Sequence, residues 1–296
     1  MSRTRAALGL GLAALGRPGY INVGHARDLE GAREPEALER RCHAVLDRAW
    51  ELGFRHVDAA RSYGRAEEFL AHWLAKRGRT PDDLFVSTKW GYTYTADWRA
   101  DAVAHEIKDH GASTFRRQWK ESSALLGPHI DLYQIHSATL DSGVLADRDV
   151  HAELGLLRDS GVPVGLSVSG TGQAAAIDLA LTLVVAGRPL FSSVQATWNL
   201  LERSAEPALV RAHAAGLRVI IKEALANGRL PDPVLALTAA LTRPWASLVL
   251  SGASTIAQLE EGAGARDAEW DEATLSRVPD CEPGSYWAER SKMPWT

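Results

Sequence analysis

Residues 34–60 read EPEALERRCHAVLDRAWELGFRHVDAA and hold one helix followed by one strand. The first part, 34–53, puts Leu38, Cys42, Val45, Leu46, Ala49 and Leu52 on one face at helical spacing, with Gly53 as a stop. The second part, FRHVDAA at 54–60, is a short, near-continuous run of apolar and β-branched residues, as in a strand buried on both faces. Alternation of this kind predicts parallel βαβ units.

The same alternation extends in both directions. Strand-like runs recur at LFVSTKW (84–90), IDLYQIH (130–136), VPVGLSV (162–168), SSVQATW (192–198), LRVIIKE (217–223) and SLVLSGA (247–253). Helix-like stretches lie at 113–127, 146–161, 172–187, 202–216 and 254–264. With ALGLGLAALG near the N-terminus as a further strand, the tally is eight strands and about eight helices. The predicted fold class is α/β, a (β/α)8 TIM barrel in a single domain spanning 1–296, with a C-terminal tail from about 265 to 296 packing on the barrel. A doubly wound open sheet is the competing arrangement. Its glycine fingerprint is not matched cleanly by GLGLAALG (9–16), and no acidic residue closes a strand about 20 residues further on.

The opening MSRTRAALGLGLAALG resembles a secretory signal in its two arginines and short apolar run. Gly9, Gly11 and Gly16 interrupt any helical apolar segment and no clean A-x-A site follows, so the run reads as a buried first strand and its turn. The 33 basic and 37 acidic residues give a net charge of −4, without the basic excess that a nucleic acid or an anionic membrane requires. Two cysteines, Cys42 and Cys281, make no disulfide framework, which fits a reducing, cytoplasmic location. No apolar run reaches transmembrane length, and no metal site is expected.

Polar residues at barrel strand ends face the active site. Asp58, Lys89, His136, Ser167 with Ser169, and Lys222 with Glu223 close successive runs, and Gln195 lies within another. Only six lysines occur, and two of them, Lys89 and Lys222, end buried strands where an unpaired ammonium is costly. Asp58, Tyr63, Lys89 and His136 have a joint chemical logic. An ammonium at Lys89, held by Asp58, would lower the phenol pKa of Tyr63 from about 10. His136 would donate to a substrate carbonyl, leaving a polarised carbon ready for hydride. Trp90, Tyr92, Tyr94 and Trp98 follow the Lys89 strand and are expected to line the substrate pocket, favouring an apolar or sugar-stacking substrate. Trp50 and Trp73 read as core, and Trp287 and Trp295 as a lid or a clamp on the barrel.

LGFRHVDAARSYGRAEE (52–68), STKWG (87–91), IDLYQIHS (130–137), GLSVSG (165–170), SVQATWNLLE (193–202) and LSGASTIAQLEE (250–261) resemble the aldo-keto reductase family, in register from about residue 8 to residue 263. The resemblance implies a barrel that binds NAD(P)H in an extended pose without a Rossmann domain. It implies a catalytic tetrad of Asp58, Tyr63, Lys89 and His136, with Tyr63 as general acid in reduction and general base in oxidation. It places Ser167 and Gln195 on the nicotinamide carboxamide, and Gly252, Ala253, Ser254, Thr255, Gln258 and Glu261 around the pyrophosphate and adenosine. Lys222 stands where many members stack a tyrosine on the nicotinamide, and Val168 where an asparagine often follows the serine. Gly252 and Gln258 stand where many members carry the lysine and arginine for the 2′-phosphate, and Gly262 where an adenine-side asparagine is common. The cofactor expected is NADP, with NAD as the alternative and Arg229 as a candidate phosphate ligand.

The function expected is an NAD(P)-dependent interconversion of a carbonyl and an alcohol, with a small-molecule substrate as partner. Two rivals stay open. One is a Schiff-base lyase or aldolase-type barrel using Lys222. The other is a non-catalytic, reductase-like subunit that senses cofactor.

Overall fold

A computed structural model describes residues 5–29 and 33–296; Met1–Thr4, the start of the signal-like segment, lie outside the described residues. Eight parallel strands close a barrel: β1 (Ala7–Gly11), β2 (His56–Asp58), β3 (Phe85–Trp90), β4 (Ile130–Ala138), β5 (Val164–Val168), β6 (Ser193–Thr197), β7 (Arg218–Lys222) and β8 (Leu248–Ser251). β1 pairs with both β2 and β8, which completes the circle. Each expected strand is present; seven are shorter than the run that predicted them, and β4 continues two residues past His136 to Ala138. The closed (β/α)8 architecture replaces the open-sheet alternative.

The outer helices are α1 (Pro35–Glu51), α2 (Ala66–Lys76), α3 (Ala112–Leu126), α4 (Arg148–Asp159), α5 (Gln173–Leu181), α6 (Glu206–Ala214), α7 (Pro233–Leu241) and α8 (Ile256–Ala263). α1 shows why the pattern works. Pro35 opens it, where a missing N–H costs nothing. Leu38, Cys42, Val45, Leu46 and Ala49 form its buried face, and Gly53 follows at φ +80. α4 starts at Asp147, whose carboxylate caps the amides of Asp149 and Val150.

One helix ends early. The stretch 172–187 is helical only to Leu181, and Val184–Val185 then pairs with Arg188–Pro189 in a small hairpin. The β-branched pair Val184–Val185 and the turn at Ala186–Gly187, both at positive φ, explain the switch.

Beyond α8 the chain runs through α9 (Ala273–Arg277) and α10 (Pro283–Ser291). Cys281 donates its amide to Leu201, Tyr286 is fully buried, and Thr296 exchanges two backbone hydrogen bonds with Tyr20. The last residues thus cross the C-terminal mouth of the barrel. Cys42 and Cys281 are both free thiols. Among the described residues no helix is long and apolar enough to cross a membrane.

Candidate active site

β2 ends at Asp58, and the β2–β3 register sets it opposite Ser87, two residues short of Lys89. Asp58 and Lys89 are only 2% and 1% exposed and form an ion pair. The Lys89 ammonium also donates to the Ala59 carbonyl at 2.9 Å and to the Tyr63 hydroxyl at 3.4 Å. Three protons meet three oxygens, which is what allows a lysine to be buried here. The other Asp58 oxygen, Oδ1, accepts from Ser87 at 2.6 Å, Gln195 at 3.1 Å and Gln134 at 3.4 Å. Strands β3, β4 and β6 therefore aim one carboxylate.

Tyr63 lies in the loop between β2 and α2, locked against the loop after β1. Arg65 donates its amide to the Gly16 carbonyl at 2.8 Å. A Cβ on Gly16 would stand 2.2 Å from the Tyr63 carbonyl oxygen, and Gly64 itself takes φ +60. Only glycine at both places lets the two loops approach this closely. The His136 ring sits edge-on to Tyr63 at 5.4 Å, with Nδ1 3.3 Å from the Ser62 hydroxyl and the Tyr92 ring 4.9 Å away.

The electrostatics revise one expectation. Burial pushes the Tyr63 phenol well above its ordinary value, Asp58 adds to the rise, and Arg17 opposes it. The charge of Lys89 is matched by Asp58, so the phenol is a protonated donor at neutral pH and not an acidified one. Burial, then Lys89, Arg17 and Lys222, hold His136 well below the usual imidazole range, so it is neutral. Burial lowers Lys222 to about 8 against the pull of Glu223. Burial would raise Glu223, but Lys222 and Arg290 hold it at about 2.

These groups open on a cavity of about 280 Å³ lined by Asp58, Tyr63, His136, Gln195 and Lys222 among others. A second cavity of about 370 Å³ adjoins it and shares Tyr20, Glu223 and Leu250 as wall. Gly252, Ala253, Gln258 and Glu261 line this second cavity. Ser254 bonds Asp28 and Gln258 beside it, and Thr255 caps α8 by accepting from the Gln258 amide. Ser167 does not reach the first cavity, because its hydroxyl accepts from the Ser137 amide at 2.8 Å and holds the end of β4. Ser137 and Ser169 face the cavity instead.

The aromatic quartet divides. Tyr92 lines the cavity. Trp90 is fully buried against Phe115 and His110, on the outer face of β3. Trp98 donates to the Arg33 carbonyl and packs on Phe69, and Tyr94 is absent from the cavity wall. Side chains alternate along a strand, so Lys89 facing inward sends Trp90 outward. Trp90 therefore faces the helix layer, and neither Tyr94 nor Trp98 is on the wall of the first cavity. Arg229 turns away as well, stacking on Tyr286 at 4.1 Å and pairing with Glu289.

Sequence reasoning passed over Arg17, Tyr20, Asp28, Glu106 and Arg290. Arg17 is 2% exposed and donates to the carbonyls of Ala13 and Ser62 and to Glu106. Its guanidinium carbon lies 5.0 Å from the Tyr63 ring centre, 5.2 Å from Tyr20 and 4.7 Å from Trp295. Arg290 forks onto Glu223 from α10. A lone arginine in the apolar segment after β1 was the one available signal for Arg17.

Residues 7–234 match the model of the aldo/keto reductase family. The chain belongs to that family. It is 29% identical over 248 residues to a D-threo-aldose 1-dehydrogenase of a Pseudomonas species, covering 76% of this chain and 69% of the relative. Solved aldo-keto reductases share the fold. One from Bacillus halodurans, in holo form, superposes with a TM-score of 0.68 at 19% identity over 94% of this chain and 93% of that one. A putative one from Pseudomonas aeruginosa gives 0.66 at 23% over 89% and 91%. Members of this oxidoreductase family use NAD(P)H, so the two adjoining cavities of this aldo/keto reductase are the place to test for a dinucleotide. Their shared wall at Tyr20, Glu223 and Leu250 would let one ligand reach from the first into the second. The buried Oδ1 of Asn227, on the second cavity's wall, has no protein partner, as a ligand-facing acceptor would.

Proposed function

We propose that this aldo/keto reductase is an NAD(P)-dependent oxidoreductase of polar, hydroxylated carbonyl compounds, with aldoses as the lead class. The observation that carries the reading is the Tyr63 hydroxyl, 3.4 Å from the Lys89 ammonium and edge-on to a neutral His136, at the end of a cavity. A bound nicotinamide supplies the two-electron donor or acceptor. Gln195 and Lys222 would lie against its ring end, and Gly252, Ala253 and Gln258 against its adenosine end.

In reduction, Tyr63 gives its proton to the carbonyl oxygen while the imidazole of His136, fixed through Nδ1 by Ser62, donates to the same oxygen. In oxidation, the Tyr63 oxygen receives the alcohol proton. For that the oxygen must first have lost its proton, a state that burial and Asp58 disfavour and that the Arg17 guanidinium over the ring and the Lys89 ammonium at 3.4 Å partly offset.

The substrate class rests on the wall chemistry and on the name of the curated relative, which acts on D-threo-aldoses. Arg17, Glu106, Lys222, Glu223 and Arg290 present charged groups, and Tyr92 and Trp295 present ring faces. Hydroxyl groups meet the first and a sugar face meets the second. The test is steady-state turnover with aldoses and simple aldehydes, in wild type and in Tyr63→Phe. Loss of turnover in the variant with unchanged nucleotide binding supports the reading; near wild-type turnover rejects it. The lowered pKa of Lys222 favours a second reading as an imine-forming lysine. A borohydride-stable substrate adduct on Lys222, formed without nucleotide, would establish that reading in its place.

A further inference from the structure

We infer that the far end of the second cavity selects a nicotinamide dinucleotide lacking a 2′-phosphate, and that Asp28 is the residue that makes the choice. The inference rests on the reading of that cavity as the adenosine end of the nucleotide site. Asp28 lines the cavity together with Gln258 and Glu261. Its Oδ2 accepts from Gln258 Nε2 at 2.8 Å and from the Ser254 hydroxyl at 3.2 Å. Gln258 Oε1 in turn takes the Ser254 amide at 2.9 Å, and Thr255 takes the Gln258 amide.

A phosphate dianion wants free N–H donors and cations. At this corner the Ser254 amide, the Ser254 hydroxyl and the Gln258 side-chain amide are already committed, two of them to a carboxylate. A ribose with both hydroxyls free is the better fit, because a hydroxyl donates to a carboxylate and a phosphate repels it. Gly252 leaves room for the sugar, the nearest atom to its Cβ position being Asn22 Nδ2 at 4.0 Å.

The backbone that carries Asp28 is anchored. Arg41 of α1 donates to the carbonyls of Asp28 and Leu29, which ties the segment to the barrel's outer layer. Among the described residues lining this cavity Arg27 is the one cation, and its guanidinium folds back against Gly24. It is the group that would hold a 2′-phosphate if Asp28 did not prevail.

Quenching of tryptophan fluorescence, with the full chain titrated separately by NADH and NADPH, tests this. In wild type, NADH is expected to bind at least about 30-fold more tightly than NADPH, as like-charge juxtaposition demands. Asp28→Asn and Gln258→Arg should each narrow that ratio about tenfold or more, chiefly by tightening NADPH. Equal or tighter binding of NADPH by wild type would overturn the inference and leave the nucleotide site standing. So would a ratio unmoved in both variants while Arg27→Ala loses NADPH. A protein that binds neither nucleotide overturns the cavity assignment and the inference with it.

Discussion

On one side of the barrel mouth, β2, β3 and β4 bring together Asp58, Tyr63, Lys89 and His136. On the other, Glu223, just past β7, is held between Lys222 and Arg290 of α10, and Asp28 meets Ser254 and Gln258 across 226 and 230 residues of chain. The first side is made of neighbouring strand ends, and its buried lysine has every proton satisfied. The second is assembled from segments far apart in the chain, and the tail contributes Arg290 to it. The contrast suggests that chemistry is housed where geometry is rigid and local, and ligand choice where distant segments converge.

Replacing Tyr63 by Phe tests the local side most severely. Turnover should fall at least about a thousandfold, the range of a lost proton-transfer group, while nucleotide titration stays within twofold of wild type. Lys89→Met comes next. It strands the Asp58 carboxylate, and chemical denaturation should show a loss of about 3–5 kcal/mol. The double variant Asp58→Asn/Lys89→Met should regain most of that stability and none of the activity.

Arg290→Met is the matching change on the convergent side. Glu223 keeps Thr197 at 3.3 Å and Lys222 at 3.8 Å, so the loss should be smaller, about 1–2 kcal/mol. A loss equal to that of Lys89→Met would erase the distinction between the two sides.

Acid should act through buried histidines that flank the two sides: His110 bonds the His136 carbonyl at 2.9 Å, and His25 packs edge-on to Tyr20 three residues before Asp28. Burial lowers His25 and His110 to about 4 in the folded protein. Below the unfolded value of about 6.5 the unfolded chain takes up protons that the folded chain refuses, so stability falls from pH 6.5 toward pH 4. Melting temperature should drop steadily between pH 7 and pH 5, with roughly 1–2 kcal/mol attributable to each histidine at pH 5. A flat profile over that range would contradict their burial in neutral form.

The smallest effect is expected from Trp295→Ala. That ring stacks on His105 at 4.1 Å and covers Arg17. Its loss should raise KM for an aldose roughly fivefold with kcat within twofold, the scale of a stacking contact.

The fold and the tetrad were legible because both repeat over short distances. An apolar run of five or six residues is a buried strand wherever it stands, and polar residues at its end face the mouth by the geometry of the barrel. Alternation of side chains was the point missed for Trp90, since Lys89 facing inward already excluded it.

The amino-acid sequence by itself determined the eight strand-and-helix units and the order of Asp58, Tyr63, Lys89 and His136, because periodicity and strand-end position are properties of neighbouring residues. Only the tertiary structure decided that Tyr63 is protonated, that Arg17 lies over its ring, that Glu223 is clamped by Arg290, and that Asp28 faces Gln258. Burial and charge at a point in space depend on every segment that arrives there, and those segments are far apart along the chain.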